Sequence, residues 1–419
     1  MAQYPDIRRK WTLATVFSIV FLDQLGVGII LPVLAPLFFD SSASLFGGPF
    51  DLASRARVLG FLIAVYPAAQ FFGAPILGAL SDRYGRKPVL LISLAGTAFG
   101  YLLFGLSILW GNLPLLFSAR LLAGFTGGNI ATANSTIADI SEPQEKVRNF
   151  GIVHAAYGLG FILGPYTGGK LSDPTIISWF SYTTPFWVAA GVAIANICMV
   201  LFAFRETLRQ RLLTVMDPFT GLRNIRKAFT LKTVRTMFIV VFLLWFGFNA
   251  FTQFFQVYLI EYFGVTQRVL GGVFAYIGIW LAFTLVVLNR WVSRRVSARR
   301  VLSIAMPILS VVIFLHLLPR EFWMYYTILP FIALTMGLII PNTAAVVSGL
   351  ADKQSQGEII GIMQSMQALA MVFPPIISGF LVAFHVALPV VVAVAFIGIA
   401  SIVYAVWFAR VPEQIFHEV

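Results

Sequence analysis

Charge is what this sequence has least of. Only 11% of its 419 residues are Asp, Glu, Lys or Arg, while 59% are hydrophobic. A soluble domain carries roughly 25% charged residues, so this chain cannot cover a water-facing surface. Its apolar runs are continuous and do not alternate as in a membrane β-barrel. The composition therefore predicts an all-α polytopic membrane protein.

Other absences narrow the function. The single cysteine, Cys198, excludes an intrachain disulfide and a metal–thiolate cluster. The sequence contains no metal-ligand cluster, nucleophile elbow or G-x-x-x-x-G-K-[ST] phosphate loop, which argues against an enzyme and against ATP-driven transport. The first apolar run, from Trp11, is too long for a cleavable signal peptide. We expect no metal and no cofactor.

Twelve apolar runs are each long enough to cross a hydrocarbon core, which takes roughly 20 helical residues. We place them at 12–37, 58–80, 89–109, 113–137, 149–170, 184–204, 237–260, 269–289, 300–318, 324–347, 359–384 and 388–408. When the N-terminus is put inside, most of the 29 Lys and Arg residues fall on the inner side. This predicts that both termini lie in the cytoplasm, and it explains the net charge of +12 without nucleic acid. We expect the membrane to be a bacterial inner membrane.

An internal repeat predicts two pseudo-symmetric bundles. "GIVHAAYGLGFILGPYTGGKL", from Gly151, matches "GIMQSMQALAMVFPPIISGFL", from Gly361, at an offset of 210 residues. Each segment is the fifth run of its half. We predict six-helix bundles at 1–204 and 237–419, a cytoplasmic linker at 205–236, and a substrate cavity between the bundles.

A charged loop, "GALSDRYGRK" at 78–87, separates the second and third runs. We expect Gly78 to allow close helix packing and Gly85 to allow a tight turn. Asp82 is not explained by topology, because acids contribute little to it. We interpret Asp82 as a latch to the start of helix 11; the alternative is a solvated loop acid. The remaining members of this predicted gating group are the cations Arg83, Arg86 and Lys87.

Two ionisable residues fall well inside the predicted spans. Asp23 lies roughly 16 Å along helix 1, near the midplane. A buried carboxyl there is costly when charged, which suits a group that takes up and releases a proton. The alternative is a hydrogen-bonded structural acid. Arg120 in helix 4 could pair with Asp23 or with substrate, or extend to the outer surface.

Amide and aromatic side chains gather in the spans expected to line the cavity. Any one of them could instead hold helices together. A cavity of amides and aromatics suits a semi-polar organic molecule. The predicted lining residues are Gln24, Asn129, Asn134, Tyr157, Phe161, Asn249, Gln253, Gln256, Gln364 and Gln367.

Helix 5 carries a face of small residues. Gly160, Gly164 and Gly168 recur at a spacing of four, followed by Gly169, and Pro165 can bend the helix. From the repeat, we expect this face to pack against helix 8 of the other bundle and to seal the interface between the bundles.

These segments together resemble the major facilitator superfamily. "GALSDRYGRKPVL" matches its signature loop, "RLLAGFTGGN" its helix-4 motif, and "GLGFILGPYTGG" its helix-5 antiporter motif. "LDQLGVGIILPVLAP" and "IADISEPQEKVRNFG" are similar to the twelve-helix drug:proton antiporters and to the tetracycline efflux pumps. The resemblance implies that Asp139 pairs with a loop cation, Arg86, and that Arg148 belongs to the same gating group. Those pumps carry an acid within helix 3, where this chain has Gly100, and a second in helix 9.

We therefore predict a proton-coupled exporter of amphipathic organic compounds that works by alternating access. Its expected partners are a small-molecule substrate, protons and the lipid bilayer, and we expect a monomer. One alternative is a carrier of a metabolite, siderophore or nutrient. Another is a non-transporting membrane receptor or scaffold, but the chain lacks the large extramembrane domain expected of one.

Overall fold

A computed structural model of the chain describes residues 6–39, 51–141, 146–208, 217, 219–231, 234–350 and 356–410. Within these ranges the regular structure is helical, with no β-strand, as predicted. The α-helices are α1 Asp6–Phe39, α2 Leu52–Tyr84, α3 Arg86–Leu109, α4 Leu113–Thr126, α5 Asn129–Ile140, α6 Lys146–Leu171, α7 Thr184–Phe202, α8 Thr220–Thr230, α9 Arg235–Phe263, α10 Gln267–Phe283, α11 Asn289–Ser293, α12 Ala298–Leu315, α13 Tyr325–Gly349, α14 Gln356–Val382 and α15 Leu388–Arg410.

Ten helical segments in the described ranges are long and apolar enough to cross a membrane. The two remaining predicted spans are also helical. The fourth is divided between α4 and α5, and the fifth is the glycine-rich α6. The protein is thus an integral, multi-pass membrane protein, and the helices are consistent with twelve spans.

The sequence misplaced the start of the second span. We expected it at residue 58, with Arg55 and Arg57 in a loop, but α2 begins at Leu52 and includes both. Asp51 accounts for the earlier start, because its carboxylate accepts a hydrogen bond from the backbone N–H of Ser54 at 3.0 Å. Such capping satisfies an N–H that has no partner within the helix.

The chain divides into two compact units. The first comprises Met1–Pro49, Val65–Pro218 and Thr266–Ala275. Its core joins α1, α3, α5, α6 and α7 through fully buried side chains such as Ile19, Leu94 and Ile137. The second comprises Phe50–Ala64, Phe219–Val265 and Tyr276–Val419. The start of α2 is thus grouped with later helices, and the start of α10 with earlier ones.

Two adjacent glycines break the fourth span. α4 ends at Thr126, and α5 begins at Asn129 after Gly127 and Gly128. Side chains of neighbouring helices bond the carbonyls at the break: Ser93 of α3 donates to Thr126, and Gln70 of α2 donates to Gly127 at 2.9 Å. Because water is absent from the bilayer core, such substitute donors are what make a broken span tolerable.

The eighth span contains one turn of π-helix, at Thr284–Leu288, between α10 and α11. Thr284 is fully buried against α13, where a β-carbon on Gly337 would lie 2.6 Å from it. Below this turn, Asn342 of α13 donates to the Asn289 side chain at 3.0 Å. Helix α13 therefore contacts the π-helical turn at both of its ends.

Candidate functional site

Asp23 and Arg120 belong to a charged and aromatic cluster in the first unit. Arg120 of α4 stacks over the ring of Tyr66 in α2, with 4.8 Å between its guanidinium carbon and the ring centre. Tyr101 of α3 is buried within electrostatic range of Asp23, Tyr66 and Arg120. Four helices thus each contribute one side chain to this cluster.

The hydroxyl of Tyr101 points at the face of α1 that carries Asp23. A β-carbon on Gly26 would lie 3.2 Å from this hydroxyl oxygen, and Gly26 is three residues after Asp23, on the same helix face. The Nε of Arg120 is buried and has no hydrogen-bond partner among the described residues. The cluster therefore combines an acid, a phenol next to it and a cation with unused donor capacity.

Sequence reasoning missed Tyr66 and Tyr101. Both lie in apolar helices, where a tyrosine resembles any other large side chain. In the structure a glycine lies opposite each hydroxyl: Gly26 faces Tyr101, and a β-carbon on Gly127 would lie 2.6 Å from the Tyr66 oxygen. Only the packing of the helices reveals those pairings.

The charged loop is organised around Arg86, which is 6% exposed. Its guanidinium bonds Asp82 at 2.5 Å, the Ser81 hydroxyl at 2.9 Å and Asp139 of α5 at 2.9 Å. The Arg86–Asp139 pair is the one that the resemblance implies. A buried arginine with two carboxylates has its charge compensated and its donors used.

Glu206, which the sequence analysis did not single out, caps the start of α3. Its carboxylate accepts the backbone N–H groups of Arg86 at 2.9 Å and Lys87 at 3.1 Å. It lies opposite Gly85, whose φ of 113° and ψ of 160° are a conformation that only glycine adopts readily. The glycine thus supplies both the turn and the space for the carboxylate.

We expect Gly85→Ala to destabilise the protein by about 1–3 kcal/mol, the typical cost of such a backbone conformation. Its β-carbon would also lie within 3 Å of the Glu206 carboxyl carbon. Glu206→Gln, which removes the charge but not the size, should lower stability less. Thermal unfolding in detergent measures both changes.

Gly78→Ala is the matched control, because a β-carbon there meets no atom within 4 Å. We expect it to leave the unfolding temperature unchanged or slightly raised, since alanine is the better helix former. Equal losses in Gly78→Ala and Gly85→Ala would contradict this account.

One expectation for this loop is corrected. Gly78 does not serve a close helix packing, since the space beside it is open. Asp82 pairs with Arg86, four residues later across the turn at Gly85, and its role as a latch to the start of helix 11 stays a prediction. Arg83 is exposed and lies 5.3 Å from the ring centre of Tyr84, and the side chain of Arg148 lies outside the described part.

The predicted partner of the helix-5 glycine face was also wrong. Gly160, Gly164 and Gly168 of α6 pack against α1, not against helix 8. A β-carbon on Gly164 would lie 2.7 Å from the α-carbon of Gly28, and one on Gly160 would lie 2.7 Å from Gln24. Spacing shows which residues share a helix face, but not which helix lies opposite.

The next residues of α6 do meet helix 8, the eighth predicted span, which begins with α10 in the structure. A β-carbon on Gly271 of α10 would lie 2.5 Å from the carbonyl oxygen of Pro165, and one on Gly169 would lie 2.6 Å from the carbonyl oxygen of Gln267. The ring of Pro165 faces Gly28 of α1. Pro165 therefore lies between α1, which carries Asp23, and α10.

The second unit repeats this crossing with equivalent residues. Gly60 of α2 packs against the carbonyl of Pro375 and the α-carbon of Gly379 in α14. Pro375 and Gly379 follow Pro165 and Gly169 by 210 residues, and Gly271 follows Gly60 by 211. The same contact, a glycine of one helix packed against a Pro-x-x-x-Gly segment of another, thus occurs once in each unit.

Polar contacts join α6 and α10 beyond the first crossing. Gln267 donates to the Ser172 carbonyl at 3.2 Å, and Arg268 lies 3.7 Å from the nearly buried carboxylate of Asp173. The hydroxyl of Tyr182 donates to Gln267 at 3.5 Å. These contacts are long and therefore weak, so they join α6 and α10 at this end but cost little to break.

The predicted cavity residues occupy varied positions. Gln24 is buried against α6, and Asn249 is buried and donates to the Trp245 carbonyl of its own helix at 2.8 Å. The Oε1 of Gln256 is buried with no partner among the described residues. The half-buried members are Asn134, Phe161, Gln253 and Gln367; Gln364 is exposed; and the side chains of Asn129 and Tyr157 are outside the described part.

Comparison with known proteins agrees with this arrangement. The family model described as Major Facilitator Superfamily matches residues 16–373 and 281–415. The chain belongs to the Major Facilitator Superfamily. Its all-helical membrane transporter fold is therefore the fold class that the sequence predicted, and the chain is a transporter rather than an enzyme.

Individual relatives within the superfamily span nearly the whole chain. The chain is 31% identical over 366 residues to the class G tetracycline resistance protein of Vibrio anguillarum, covering 85% of this chain and 87% of that protein. It is 24% identical to multidrug resistance protein 2 of Bacillus subtilis (strain 168), covering 89% of each. A bacterial homologue of the human lysosomal transporter Spinster superposes with a TM-score of 0.74 at 15% identity, covering 99% of this chain and 100% of that one.

Proposed function

We propose that this protein is a proton-coupled exporter of amphipathic organic compounds. The observation that carries the proposal is the cluster of Asp23, Tyr66, Tyr101 and Arg120 on four membrane helices. The similarity to tetracycline and multidrug resistance proteins over more than four fifths of the chain supports export as the direction.

We assign residues 1–204 and 237–419 to two bundles that open the cavity to each side of the membrane in turn. Residues 205–236 form the linker, and both termini lie in the cytoplasm.

In this mechanism Asp23 exchanges the proton. A proton from outside neutralises Asp23, which leaves the positive charge of Arg120 in the cluster without a negative one. Release of the proton inside restores a charged cavity that admits the next substrate. Tyr101, next to both groups, can bond to the acid in either protonation state, because a phenol both donates and accepts.

The two glycine crossings are candidates for closure on the outer side. Each joins helices from different halves of the sequence, α6 with α10 and α2 with α14. Opening must separate each pair. Because α6 packs on both α1 and α10, a change around Asp23 has a direct packing route to the first crossing.

We infer that the substrate is an amphipathic compound other than tetracycline. The pumps for that drug carry an acid at the position of Gly100, but Gly100 here lies in a tight contact between α3 and α4. A β-carbon on it would lie 2.9 Å from the side chain of Ala123. An acid therefore cannot replace Gly100 without separating these helices.

An efflux screen tests the proposal. Purified protein is placed in proteoliposomes with an imposed pH gradient, and a library of amphipathic compounds is assayed for gradient-dependent movement. We expect a set of compounds to move only when the gradient is present, with protons moving in the opposite direction. Movement of a compound at the same rate and to the same final level without a gradient would identify a uniporter and contradict proton coupling.

A further inference from the structure

Helix α8, in the segment between the two sequence halves, is fixed to the start of α14. Gly221 and Ala228, seven residues apart on one face of α8, are buried. The side chain of Asn224 donates to the Ser365 hydroxyl at 3.1 Å, and Lys227 pairs with Glu358. Glu358 lies in the first turn of α14, a helix long and apolar enough to cross a membrane. This contact therefore holds α8 beside the start of a membrane-spanning helix.

A second face of α8 is apolar and uncovered. Leu222 and Phe229, two helical turns apart, are 45% and 51% exposed. Phe219, immediately before the helix, is also exposed. Such a patch is costly in water but is favoured where lipid chains can cover it.

A third face of α8 is cationic. Arg223 and Arg226 are exposed one turn apart, next to the apolar face and opposite the buried one. An 11-residue helix with apolar and basic faces side by side, held beside the start of a membrane-spanning helix, has the arrangement of a surface-bound helix.

We propose that α8 is a lipid-binding helix that inserts Leu222 and Phe229 among acyl chains and binds anionic phospholipid headgroups through Arg223 and Arg226. The ion pair of Lys227 with Glu358 and the bond from Asn224 to Ser365 connect this lipid site to α14. The occupant is the bilayer in which the protein resides, since the same helix is anchored to a membrane span. The proposal does not depend on what the protein transports.

Site-specific fluorescence tests the insertion. Because Cys198 is the sole cysteine, Cys198→Ser provides a background for single labels. An environment-sensitive fluorophore at Phe229→Cys is compared with one at Thr230→Cys, which lies on the polar side of the same helix. In vesicles containing phosphatidylglycerol, we expect quenching by acyl-chain nitroxides at 229 and by aqueous iodide at 230. Iodide quenching at both positions would overturn the proposal.

The arginines are tested by titrating phosphatidylglycerol into phosphatidylcholine vesicles. We expect Arg223→Gln and Arg226→Gln each to raise the anionic fraction needed for half-maximal quenching, by about fivefold in apparent affinity per charge removed. Arg320→Gln, an exposed arginine in another loop, is the matched control and should leave the titration unchanged. Insertion that is independent of both arginines would overturn the headgroup site, and capture of α8 by a soluble acidic protein instead of vesicles would overturn the choice of partner.

Discussion

Asp23→Asn is expected to abolish transport driven by a pH gradient. The asparagine side chain has nearly the size of the aspartate but cannot take up or release a proton. We expect gradient-driven accumulation to fall at least about a hundredfold, the lower range for loss of a positioned proton-transfer group. The measurement is uptake into proteoliposomes of a compound identified in the efflux screen, with a pH-sensitive dye inside.

Two further variants distinguish a coupling defect from a folding defect. Asp23→Glu keeps a titratable group and should retain part of the coupled transport. Tyr101→Phe removes only the hydroxyl near Asp23 and should move the pH dependence of transport rather than abolish it. If Asp23→Asn still concentrates substrate at the rate of the unmodified protein, Asp23 is a structural acid and the coupling site lies elsewhere.

Gly271→Leu should force α10 away from α6. The added side chain has no space, because its first carbon would already lie 2.5 Å from the carbonyl of Pro165. Overpacking of this kind costs about 1–3 kcal/mol, enough to reverse populations when two conformations differ by a few kcal/mol. We expect coupled transport to be lost while substrate binding remains measurable.

Spin labels at Lys170 and Arg268, on the Cys198→Ser background, measure this separation. In Gly271→Leu, we expect their distance distribution to lengthen and broaden. Gly272→Leu is the control at the neighbouring position, where no atom lies within 4 Å, and should leave the distribution unchanged. An unaltered distribution in Gly271→Leu would show that the crossing does not govern opening.

Residue patterns were sufficient for the class of protein and for its local charge pairing. Low charge and continuous apolar runs identify membrane helices, because the bilayer imposes both. The Arg86–Asp139 pair followed from family resemblance, since both residues belong to quoted motifs. The two consecutive glycines at 127 and 128 were visible signals of a broken helix, yet we predicted a continuous span there.

Tertiary neighbours could not be predicted in the same way. The glycine face of α6 was expected against helix 8, but α1 occupies it, and only Pro165 and Gly169 reach α10. This changes how one substitution is understood. Gly164→Leu would separate two helices of the same sequence half and should prevent folding, whereas Gly271→Leu acts on the crossing between helices of different halves.

The break at Gly127 and Gly128 divides one membrane span into two mechanical parts. Arg120 of the candidate proton site lies on α4, and Asp139, which holds the loop arginine, lies on α5. The carbonyls of Thr126 and Gly127 are bonded to α2 and α3. Because hydrogen bonds from α2 and α3 satisfy these carbonyls, the angle between α4 and α5 can change without leaving them unpaired. A tilt of α4 relative to α5 would then move Arg120 relative to Asp139.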